Sequence, residues 1–61
     1  MKIGTIISVE WKNRTKNLAV YYKVIAIGNT LVRLRPLNDN REPTGQDIIV
    51  SEKDIFNVKG L

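Results

Sequence analysis

From residue 3 to residue 11 the chain alternates, with Ile3, Thr5, Ile7, Val9 and Trp11 on one side and Gly4, Ile6, Ser8 and Glu10 on the other. A period of two rich in β-branched side chains is the pattern of a half-buried strand, because successive Cβ atoms point to opposite faces of the pleat. Residues 12–17 (Lys-Asn-Arg-Thr-Lys-Asn) contain no apolar side chain and predict a loop. Residues 18–27 are dense in Val, Ile and Tyr and predict a second strand. Gly28-Asn29 follows, two residues that tolerate the positive φ of a hairpin turn. Residues 31–37 predict a third strand, which Pro36 must end or hold at an edge because it has no N–H to give a ladder.

Two hairpin registers are open. A two-residue turn at Gly28-Asn29 pairs Ile27 with Thr30 and groups Ile25, Ile27, Val32 and Leu34 with Lys23. A three-residue turn through Thr30 groups Tyr22, Val24, Ala26, Val32 and Leu34, an apolar face without charge, and is preferred for that reason. In both registers Arg33 and Arg35 alternate with Val32 and Leu34 and face away from the core. In the preferred one Lys23 joins them.

Residues 38–46 (Asn-Asp-Asn-Arg-Glu-Pro-Thr-Gly-Gln) concentrate turn formers and predict a long surface loop. Residues 47–50 predict a short fourth strand. Ser51 then reads as an N-cap, with Asp54 in the capping position three residues on, and a single 3₁₀ turn is expected because no apolar helical repeat follows. Residues 55–58 predict a brief last strand and residues 59–61 a tail. Trp11 and Tyr22 are expected in the core and Phe56 at its end, although Trp11, at a strand end beside a basic loop, is also a candidate binding residue.

The order of these elements resembles a known architecture. Gly4-Thr5-Ile6-Ile7-Ser8-Val9, Tyr22-Lys23-Val24-Ile25-Ala26-Ile27-Gly28-Asn29, Leu31-Val32-Arg33-Leu34-Arg35 and Val50-Ser51-Glu52-Lys53-Asp54-Ile55 carry the resemblance. Together they resemble the SH3-like small β-barrel shared by KOW, Tudor and retroviral integrase C-terminal domains. The resemblance implies an all-β, five-stranded SH3-like barrel with a 3₁₀ turn before the last strand, in a single domain over residues 1–61. An OB-like five-stranded barrel is the alternative fold.

Composition narrows the chemistry. A chain of 61 residues, 43% hydrophobic and 26% charged, has enough apolar side chains for one small core. It contains no Cys and no His, which excludes disulfides, thiolate zinc sites, cysteine nucleophiles and His-based acid–base catalysis. Neither a membrane span nor a signal peptide is expected from the short apolar runs, so the expected setting is the cytoplasm. Ser8 and Ser51 lack an activating base, and the spacing Asn38-x-Asn40-x-Glu42 lacks the central glycine and terminal glutamate of a calcium loop. The chain is not expected to be an enzyme, nor to hold a cofactor or metal.

Charge is the better lead. The formal net charge is +4, and it is uneven: residues 1–36 carry Lys2, Lys12, Arg14, Lys16, Lys23, Arg33 and Arg35 against Glu10 alone. The acidic residues gather after residue 37. Side chains at i and i+2 of a strand stand roughly 6.5–7 Å apart, near the spacing of phosphates along a nucleic-acid strand, so alternating arginines can track a backbone. Lys23, Arg33 and Arg35 form the expected binding face, the loop residues Lys12, Arg14 and Lys16 a second contact, and Tyr21 a platform for a base or sugar. The expected function is a small nucleic-acid-binding module, for DNA or RNA, with weak sequence preference. The alternative is a protein-interaction module, an accessory subunit or inhibitor of the kind phages and mobile elements encode, docking on an acidic protein surface. Either a monomer or a homodimer paired through exposed strand edges fits the sequence.

Overall fold

A computed structural model describes residues 1–12 and 19–61 of the chain. They form five antiparallel strands, β1 (Ile6–Trp11), β2 (Tyr21–Ile27), β3 (Leu31–Leu37), β4 (Ile48–Ser51) and β5 (Ile55–Gly60), with one 3₁₀ turn, Glu52–Asp54, between the last two. The strands make one sheet in the order β4-β3-β2-β1-β5. Among the described residues no helix is long and apolar enough to cross a membrane.

β4 and β5 are consecutive in the chain yet lie at opposite edges of the sheet. A flat sheet would hold those edges about 19 Å apart, four strand spacings. The backbone from Ser51 to Ile55 reaches at most about 14 Å. The sheet must therefore curl until its two edges approach at the 3₁₀ turn. That turn is tied on both sides: the Glu52 N–H donates to the Thr30 carbonyl (3.1 Å), and the Lys12 N–H donates to the Asp54 carbonyl (3.0 Å). The Ser51 side chain caps it by accepting from the Lys53 N–H. No ladder joins β4 to β5 among the described residues, so the curl stops short of a hydrogen-bonded closed barrel.

The concave face holds the core: Ile7, Val9, Tyr22, Val24, Val32, Leu34 and Ile55 are buried, with Trp11, Ala19, Ile48 and Val50 packed against them. The Trp11 ring meets Tyr22 edge to face (5.8 Å, 74°), and its indole N–H donates to the Ala19 carbonyl at 3.2 Å. Trp11 is thus a half-buried core residue whose polar end is satisfied locally. Burial also pushes the Tyr22 phenol above its ordinary pKa.

Several expectations are corrected by turn and bulge geometry. β1 starts at Ile6, not at residue 3, and Ile3 is 63% exposed rather than in the core. The Thr5 N–H donates to the Lys2 carbonyl, and Gly4 has φ +88°, the third-position conformation of a type II turn. Ile3 occupies the outer corner of that turn. Gly4 and Thr5 then both oppose Val24, since the Gly4 N–H donates to the Val24 carbonyl and the Val24 N–H to the Thr5 carbonyl. This is a bulge of the type that requires a left-handed glycine.

From Tyr22 opposite Pro36 to Val24 opposite Leu34 the hairpin keeps the preferred register, but toward the tip the pairing slips by one residue and the three-residue turn does not form. Ile27 pairs with Val32, the Gly28 N–H donates to the Leu31 carbonyl (2.8 Å), and Asn29-Thr30 form the tip. Neither Gly28 nor Asn29 takes a positive φ. Gly28 matters instead for close approach, because a Cβ there would stand 3.2 Å from the Leu31 carbonyl oxygen. A tip without positive φ twists poorly with right-handed strands, and a bulge between Val24 and Ala26 adds the twist back. Tyr22, Val24, Val32 and Leu34 share the core as expected, but the bulge turns Ala26 outward, opposite Arg33.

At the other end, the anticipated tail is part of β5: Ser8 pairs with Lys59, Ile7 with Gly60, and the Leu61 N–H donates to the Ile6 carbonyl. A register shift near Asn57, which takes φ +49°, accommodates the extra residue. Phe56 lies opposite Glu10 on the outer face, 38% exposed, rather than closing the core.

Candidate binding face

The pleat that buries Val32 and Leu34 turns Arg33 and Arg35 outward, and the β2–β3 register sets Lys23 directly opposite Arg35. Like charges facing each other across a strand pair are destabilising unless something offsets them. The offset comes from β4. Its register, Leu34 with Ile48 and Arg33 with Ile49, brings the preceding residue, Asp47, beside both arginines. Arg35 grips Asp47 with two donors, Nε to Oδ1 at 2.9 Å and a terminal guanidinium nitrogen to Oδ2 at 3.3 Å. Arg33 Nε reaches Oδ2 only at 3.7 Å, and its side chain is 53% exposed.

This pair of contacts sets the titration of the site. The hydrogen bond from Arg35 holds the Asp47 carboxyl below its ordinary pKa, with smaller contributions from the charges of Arg35 and Arg33, against partial desolvation. The same bond raises the Arg35 guanidinium further. Asp47 therefore stays ionised and orients Arg35. An arginine has five N–H donors, so Arg35 keeps three beyond the two Asp47 uses. The Lys23 side chain makes no hydrogen bond or ion pair among the described residues.

Tyr21 shares this face, opposite Leu37, but its ring already has a partner: the Arg41 guanidinium lies over it at 5.5 Å from the centroid. Arg41 is held there by the tight loop that follows β3. In that loop the Asn38 side-chain oxygen accepts from the N–H groups of Asn40 and Glu42, and Arg41 takes φ +62°. The Pro36 carbonyl accepts from the Thr44 N–H on the side β4 no longer covers, so the missing proline N–H leaves no gap in a ladder. Leu37 is buried under this loop, which it meets at Pro43. Lys59, opposite Ser8, adds another cation to the outer face.

Of the residues singled out in the sequence, Tyr21, Lys23, Arg33 and Arg35 come together on one outer face, and Trp11 belongs to the opposite one. Lys12 stands apart in a bend after β1, and Arg14 and Lys16 lie outside the described residues. Sequence reasoning missed Asp47, Arg41 and Lys59. A signal for Asp47 existed, since strand alternation puts it on the same face as Ile49, and a β3–β4 meander sets that face against the arginines. Comparisons with protein-family models, with curated proteins and with solved structures find no match to this chain.

Proposed function

We propose that the chain is a binding module rather than a catalyst, an SH3-like small barrel of the cytoplasm whose outer face contacts the phosphate backbone of a nucleic acid. The strand order with a 3₁₀ turn joining the two edge strands supports the fold. The observation that carries the function is the cross-strand Lys23–Arg35 pair with Arg33 two residues along, three cations against the single carboxylate of Asp47. Placing like charges opposite one another opposes folding, and a polyanion relieves that repulsion. Asp47 pre-orients Arg35 without using up its donors, which lowers the ordering cost of binding a phosphate. Contacts of this kind carry little sequence information, so weak sequence preference is expected.

The test is an electrophoretic shift with mixed-sequence DNA and RNA at about 150 mM salt, where distant surface charge is already screened. Lys23→Glu combined with Arg35→Gln should abolish the shift and lower the thermal midpoint no further than Asp47→Asn does. Binding equal to wild type would reject the face. A second reading, docking on an acidic protein surface, is favoured by exposed aliphatic side chains next to the same cations, among them Leu31 and Ile49. A pull-down yielding one stoichiometric protein partner, with no nucleic-acid shift, would decide for it.

A further inference from the structure

At the hairpin end of the outer face, Ala26, Gly28, Leu31, Val32, Arg33 and Ile49 line an open hollow of about 310 Å³. The bulge creates it. By turning Ala26 outward into the row Ala26–Arg33–Ile49, it sets a small methyl in a row where β3 and β4 carry long side chains. Leu31 and Ile49 stand at its sides, 50% and 63% exposed. A volume near the lower limit of ligand sites, about 300 Å³, suits one anchoring side chain better than a cofactor. The lining is aliphatic except for one cation. That cation, Arg33, is the arginine with the longer approach to Asp47, 3.7 Å against 2.9 Å for Arg35.

We infer that this hollow receives an apolar side chain from an acidic protein segment, with a carboxylate beside that side chain paired to Arg33. The inference deepens the second reading above and rests on it in taking a protein partner. Charge complementarity names the occupant: the chain is +4 overall, and Lys23 and Arg35 continue the positive surface beyond Arg33. A nucleobase fits less well. Among the described residues no aromatic ring lines the hollow for stacking, and of these only Arg33 could serve the several polar groups of a base edge.

The probe is an acetylated, amidated hexapeptide, Asp-Glu-Leu-Phe-Asp-Glu, titrated at about 150 mM salt into the full chain labelled with 15N. The expected result is saturable movement of the amides of Ala26, Leu31, Arg33 and Ile49. Replacing the peptide's Leu-Phe by Ser-Ser should weaken binding at least ten-fold. So should Leu31→Thr with Ile49→Thr, a charge-neutral pair at exposed positions, while any nucleic-acid shift stays unchanged. Ala26→Trp, which fills the hollow from within, should do the same and guards against a folding effect of the first variant. If the Ser-Ser peptide binds as well as the Leu-Phe peptide, acidic docking stands and the hollow is overturned as its anchor site. If neither peptide binds, or if an oligonucleotide moves these amides and the peptide does not, the inference fails together with the second reading at this site.

Discussion

The two faces of this sheet share one backbone and differ in nearly everything else. The inner face places Tyr22, Val24, Val32 and Leu34 in a row of fully buried side chains. The outer face, one residue out of phase along the same strands, carries Lys23, Arg33 and Arg35 around a single carboxylate. The inner face is held by non-directional burial, which salt and pH hardly touch. The outer face is held by charge, which depends on both. A strand that buries every second residue can therefore carry fold and function on alternate positions, and each can be altered without the other.

The comparison breaks most sharply on the inner side. Leu34→Ala should destabilise the domain by about 2–5 kcal/mol, much of the total for a chain this short, as read by urea unfolding followed through Trp11 fluorescence. The outer side answers differently: Lys23→Glu with Arg35→Gln should lower nucleic-acid affinity at least ten-fold, with the urea midpoint falling no further than it does in Asp47→Asn. It should also flatten the dependence of log affinity on log salt by about 2, one for each phosphate-neutralising charge lost.

Asp47→Asn sharpens the contrast within the outer face. Removing the carboxylate takes the negative charge from beside both arginines, and that gain outweighs the lost pre-orientation of Arg35, so affinity for nucleic acid should rise several-fold. Stability should change with pH in a defined window. Because the folded pKa of Asp47 lies below its ordinary 3.8, its contribution is complete above that value and lost as pH falls through the lowered one. Thermal scans should show the wild type losing its advantage over Asp47→Asn below about pH 4, with a constant difference from pH 5 to 8. The smallest expected effect belongs to neither face. Gly4→Ala should cost about 1 kcal/mol through the positive φ alone, with nucleic-acid affinity unchanged.

How much was legible in the sequence follows from how local each feature is. β3 is read to the residue, because Leu31–Leu37 alternates cleanly and Pro36 marks its end. The Ser51 cap is read because capping is decided within three residues. Ile3 is misread because its alternation with Ile7 and Val9 is genuine, and only the role of Gly4 in a turn and bulge expels it. Ala26 is misread for a similar reason: a bulge adds a residue without any change in hydrophobic pattern. The carboxylate of the binding face is the least legible part. Its approach to Arg33 and Arg35 depends on the register of β4 against β3, set across the loop that begins at Asn38.

The central claim is that the outer face is where a polyanion binds, and the most direct measurement is a titration of the 15N-labelled chain with a mixed-sequence oligonucleotide at about 150 mM salt. The account predicts saturable amide shifts centred on Lys23, Arg33 and Arg35, fading toward the core positions of the same strands. Absence of shifts, or shifts centred away from these residues, would contradict it.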